Sequence, residues 1–131
     1  MSNGDRVYTN ETGVRFLAVS PSGEIIERLV PPERLLMSVR GAIGCTELLS
    51  LHLDTDLAMY VCQGGAVEHQ HDTNLFAAVV LTAHWGRAPQ AYSGTAVFVG
   101  GRDEANNHQS LSDTTAQFVR DMIGWATTRR G

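Results

Sequence analysis

Two histidines separated by one residue, in Glu68-His69-Gln70-His71-Asp72, are the densest concentration of reactive side chains in this 131-residue chain. On an extended strand, residues two apart project from one face, so His69 and His71 would point together, and neutral imidazoles suit a divalent metal. A third ligand could come from His52, Asp54 or Asp56 if their strand adjoins. The same composition also describes a solvated strand face, or a polar edge that hydrogen-bonds a ligand. Just beyond, Thr73 and Asn74 stand where a helix begins. Asn74 suits a helix cap; alternatively, a helix start beside His71 offers backbone donors and a partial positive charge to an anion. Arg87 or Arg102 could complete a phosphate clamp. Tyr60, Trp85 and Tyr92 are the aromatic residues suited to line a groove, with core packing the alternative for Tyr60 and Trp85.

These residues need elements to hold them. Residues 57–62 (LAMYVC) read as a strand, Gly64-Gly65 as a turn, and residues 66–71 as a returning strand. The helix after Thr73 carries Leu75, Phe76, Val79, Val80 and Ala83 with no breaker before Gly86. Upstream, residues 15–20 and 24–30 form a hairpin about Pro21-Ser22-Gly23, and Pro32 opens a helix over residues 32–40. Leu49, Leu51 and Leu53 alternate with Ser50, His52 and Asp54, which is the period of a half-buried strand. Downstream, residues 95–99 form a short buried strand, and residues 101–109 read as a linker or exposed loop. Ser112 or Asp113 caps a last helix whose Ala116, Phe118, Val119, Met122, Ile123 and Ala126 recur at three and four. The expected fold is α+β: a mainly antiparallel sheet of five to six strands, two packed helices and a C-terminal amphipathic helix. Residues 1–13 are expected to be a flexible tail, 14–101 the core domain, and 102–131 a linker and helix docked on the core or at a dimer interface.

Composition narrows the function. An apolar fraction of 43% with 18% charged residues belongs to a globular chain. All ten cationic residues are arginines, the formal charge is −4, and the only adjacent pair is Arg129-Arg130. Nucleic acid, which asks for a concentrated basic face, is therefore not expected as a partner. With no lysine there is no P-loop, and no serine sits in a G-x-S-x-G turn, so kinase, GTPase and serine-hydrolase chemistries fall away. Cys45 and Cys62 lack CxxC spacing; they could meet as a disulfide if their strands pair, but both lie in apolar runs, which reads as two buried free thiols in a reduced compartment. The first residues lack the pattern of a signal peptide and no apolar run is long enough for a bilayer, so a cytoplasmic, non-membrane protein is expected.

Several short motifs occur in an ordered series. Gly41-x-x-Gly44 closes a helix, Glu47 follows in a strand, and Leu57-x-Met59-Tyr60-Val61 precedes Gly65. Asn74-x-x-Ala77 then opens a helix, and Gly94-Thr95-Ala96-Val97-Phe98-Val99-Gly100 forms a last strand. Over residues 14–101 this series resembles a family of small domains of unknown function carried by phages, plasmids and their bacterial hosts. The resemblance implies the fold and a mobile-element setting, and no reaction. The chain departs from the family between Val61 and Asn74: Gln63-Gly64-Gly65 replaces an acidic turn, no proline precedes the asparagine, and the intervening stretch is rich in histidine.

The expected function is a non-catalytic binding protein, forming a homo-dimer or higher oligomer, that captures a host protein or a small anionic, nucleotide-like ligand. The ligand residues would be His52, Tyr60, His71, Asn74 and Arg87, with no cofactor. The rival expectations are a small enzyme with a divalent metal on His69 and His71, and an oligomeric assembly module.

Overall fold

The computed structural model describes residues 13–64 and 71–130. The proposed returning strand, apart from His71, and with it His69, lies outside the described residues.

Strands β1 (Val14–Val19) and β2 (Ile25–Val30) form the first ribbon, paired antiparallel from Val14 opposite Val30 to Val19 opposite Ile25. A 3-10 turn at Pro32–Arg34 leads into α1 (Leu35–Ile43). The second ribbon is β3 (Leu48–Asp54) with β4 (Leu57–Cys62), its register shifting between His52 and Asp54. Helix α2 (Leu75–Trp85), strand β5 (Ala96–Val99) and helix α3 (Asp113–Arg130) complete the chain. Among the described residues, five strands form one sheet in the order β2-β1-β5-β4-β3. Every neighbouring pair is antiparallel. The short β5 thus joins the two ribbons.

Alternation along the strands builds two cores, one on each face. Val14, Phe16, Ala18, Ala58, Tyr60, Cys62, Val97 and Val99 meet Leu35, Val39 and Ile43 of α1. The intervening residues Leu17, Val19, Leu57, Met59, Val61, Ala96 and Phe98 meet α2 and α3. The central strands are buried on both sides, so they read as continuous apolar runs, whereas β3 at an edge keeps its alternation. The last helix is built into this second core through Ala116, Val119, Ile123 and Ala126. Arg15 fixes the approach to it. Its guanidinium donates through Nε and Nη2 to the Leu111 carbonyl (2.8 and 2.6 Å) and pairs with Asp113 at 2.7 Å.

Cys45 and Cys62, expected as free thiols, are joined in a disulfide, with Cα atoms 5.7 Å apart. Leu48 lies opposite Cys62, and the Gln63 N–H donates to the Glu47 carbonyl at 2.9 Å, so the segment preceding β3 runs beside the end of β4. Among the described residues, no helix is long and apolar enough to cross a membrane.

Candidate functional site

On the α1 face, the loop after β5 folds back over the sheet. Gly100 and Gly101 allow this by contact. A side chain at Gly100 would collide with the Gln109 carbonyl, and one at Gly101 with the Thr55 carbonyl. The loop then closes on itself. Arg102 and His108 form an isolated bridge, Asp103 N–H donates to Asn107 O at 2.8 Å, and the Asp103 carboxylate accepts from the N–H groups of Ala105 and Asn107 (2.9 and 3.0 Å). Asn106 occupies the left-handed region at φ 69°, which asparagine tolerates better than most residues.

This loop carries Arg102 and His108 to Tyr60, which is 4% exposed in the middle of β4. The Tyr60 hydroxyl lies 2.6 Å from His108 Nε2, Arg102 Nη2 donates to the same hydroxyl at 3.1 Å, and His108 Nδ1 lies 2.8 Å from the Gly100 carbonyl. A carbonyl can only accept, so Nδ1 carries the hydrogen and Nε2 is the acceptor. The phenol therefore donates to Nε2 and receives from Arg102. The two rings meet edge to face, 5.3 Å between centroids. Arg102 is held a second time, by Nη1 donating to the Asn106 carbonyl at 3.0 Å. Burial lowers the His108 pKa below its ordinary 6.5; the hydrogen bond to Gly100 opposes this and the Arg102 charge adds to it. The imidazole is neutral at pH 7.

The three residues border an open groove of about 650 Å³. Val14, Pro32, Leu35 and Leu36 give it an apolar wall, and Glu33, Asp103, Asn106 and Asn107 complete its polar rim. Three of the five guanidinium N–H groups of Arg102 remain beyond the bonds to Tyr60 and Asn106. A cation, a phenol and a neutral imidazole beside an apolar wall can hold an anionic group attached to an apolar body.

Of the described residues singled out in the sequence, Tyr60 and Arg102 line this groove. Asn74 is fully buried: its Oδ1 accepts from the N–H groups of Phe76 and Ala77, both at 3.1 Å, and its Nδ2 donates to Val19 O and Gly94 O, both at 2.9 Å. Its side chain is a cap that also ties α2 to β1 and to the segment before β5. His71 packs beside Gly94, near the start of β5, whereas His52 is exposed on edge strand β3 opposite Ala58, which itself pairs with Val99 at the far end of β5. The two are separated by β4 and lie toward opposite ends of β5. The third metal ligand sought from His52, Asp54 or Asp56 does not adjoin His71, and among the described residues no group of three or more His, Cys, Asp or Glu side chains converges as a metal requires. Arg87 is exposed just beyond the C-terminus of α2, the opposite end of that helix from Asn74. The five proposed ligand residues are therefore not brought together.

Sequence reasoning missed His108 because residues 101–109 read as a linker or exposed loop. A signal was present: Asp103 and the pair Asn106-Asn107 are turn formers that set Arg102 opposite His108.

No family model matches this chain, and neither a curated protein nor a solved structure matches it.

Proposed function

We propose that this protein is a non-catalytic binding protein whose groove on the α1 face takes a small anionic ligand with an apolar or aromatic body. The observation that carries this reading is Arg102, held by Tyr60 and Asn106 on the border of a groove that also has an apolar wall. A guanidinium fixed before the ligand arrives loses little freedom on binding, so more of its interaction with an oxyanion is retained as affinity. The mobile-element setting is part of the proposal and rests on the resemblance over residues 14–101. Isothermal titration with adenosine monophosphate and with benzenesulfonate tests it. Saturable binding is expected, reduced at least roughly tenfold in Arg102→Ala, in line with the loss of a charge-assisted hydrogen bond. Absence of saturable binding by either probe, or equal binding by Arg102→Ala, would sink the reading.

A second reading, self-association, is favoured by a different face. Between α2 and α3 lies an apolar groove of about 560 Å³ lined by Leu75, Val79, Met122 and Trp125, with Leu75 and Trp125 50% and 51% exposed. A protruding aromatic ring next to an apolar hollow on one surface is the self-complementary arrangement that a two-fold pair of identical chains uses. Phe118, on the same helix, packs partly buried against the core and meets His84 edge to face. Sedimentation should show a concentration-dependent dimer that Trp125→Glu converts to monomer with the fold intact. A wild-type monomer throughout would dismiss this pairing.

A further inference from the structure

Among the residues bordering the groove, His108 can gain a charge close to neutral pH, and its one acceptor atom is occupied by Tyr60. Among the described residues, the groups around it are few. Tyr60 reaches it from β4, Arg102 and Asp103 belong to its own loop, and Glu33 of the 3-10 turn lies across the groove; α1 and β1 contribute only the apolar Leu35, Leu36 and Val14. Asp103 has a carboxylate oxygen engaged by two backbone N–H groups.

We propose that the groove takes its anion together with one proton, which settles on His108 Nε2 and turns the Tyr60 hydroxyl from the imidazole toward the ligand. The inference rests on the anion-binding reading above and adds its pH control. In the empty groove the Tyr60 hydrogen is spent on Nε2 and the Arg102 charge opposes a second cation. An anion beside Arg102 neutralises that opposition and favours imidazolium. Once Nε2 carries a hydrogen it donates to the Tyr60 oxygen, which accepts from His108 and Arg102 together. The phenolic hydrogen, no longer needed by the imidazole, becomes a donor to the ligand. One proton thus supplies both a charge and a redirected hydrogen bond. The neutral resting state of His108, set mainly by burial, is the starting point this exchange needs.

The sign follows from linkage. If the anion raises the His108 pKa, the complex binds more protons than the empty protein, so affinity climbs as pH falls through the interval between the two pKa values and levels off below the lower one. Benzenesulfonate is the suitable probe because its own charge stays constant over this range. Its affinity should rise roughly tenfold from about pH 8 to about pH 5, as expected for a charge brought near an anion in a partly solvated site. His108→Gln keeps an acceptor for Tyr60 but cannot titrate, and should flatten the profile. Tyr60→Phe, with no hydroxyl to redirect, should weaken low-pH binding and is the second variant if the first does not fold. Glu33→Gln should keep the pH dependence, which separates it from titration of the carboxylate across the groove. A flat wild-type profile, an equally steep one in His108→Gln, or a steepness lost in Glu33→Gln overturns the proton coupling and leaves the anion site standing. No binding of benzenesulfonate at any pH overturns both.

Discussion

Asn74 and His108 show how much a single side chain can be asked to do, and how differently the two are written in sequence. Asn74 was legible as a helix cap because asparagine before an apolar helical stripe suits that place, although the same place also read as part of an anion site. Its two donor bonds, to Val19 and Gly94, were not legible, since they join segments 55 and 20 residues away. Asn74→Ala removes the cap and leaves two buried carbonyls without their donor, a loss of about 3 kcal/mol. Asn74→Asp retains the acceptor for Phe76 and Ala77 but sets a carboxylate against those carbonyls, and should be no better. Urea unfolding of both variants measures this; an Asp variant as stable as wild type would show that the donor bonds contribute nothing. His108 makes a prediction in pH. Its folded pKa lies below the ordinary 6.5, so in the unfolded chain it takes a proton that the folded protein refuses. Its contribution to stability is therefore complete above about pH 6.5 and is lost progressively as pH falls toward the folded value. The pH profile of urea unfolding should be flatter in this interval for His108→Gln than for wild type, and coincident profiles would contradict it.

At the scale of elements, local pattern and tertiary pairing divided the work. Helices were readable from their stripes and their ends: Pro32 and Asn74 precede two of them, and Asp113 begins the third. The alternating strand β3 was readable for the same reason. The disulfide was not, because Cys45 and Cys62 follow no motif spacing and meet only through the register that sets Leu48 opposite Cys62. That bond closes a segment of 17 residues in sequence separation, for which the chain-entropy estimate is about 3 kcal/mol of stability. Unfolding in urea with and without a thiol reductant should differ by about that amount, and mass spectrometry of the unreduced protein should find it lighter by two hydrogens. Two titratable thiols in the unreduced protein would refute the pairing. The loop bearing Arg102 and His108 was read as a linker or exposed loop, and its part in the groove was not legible for a related reason: that role exists only where the loop meets β4.

For the molecule as a whole, α+β and a mainly antiparallel sheet could be inferred from strands arriving in pairs, and the sheet confirms both. The strand order could not be inferred. The runs in β4 and β5 are apolar because both faces are covered, β1 is broken only by Arg15, and a run without alternation carries no information about its neighbours. That order has a consequence for biosynthesis. The strand that unites the sheet comes after both ribbons in the chain, and only four residues, Ala96–Val99, make the junction. While the ribosome is still adding residues 65–95, each hairpin has an open edge and an uncovered apolar face, the condition in which chains adhere to one another. A nascent chain stalled at residue 95 should be rapidly cut by protease or held by a chaperone, and resistance should appear only after residues 96–99 and the last helix have cleared the exit tunnel. Resistance already present at residue 95 would mean that the ribbons can stand without their keystone.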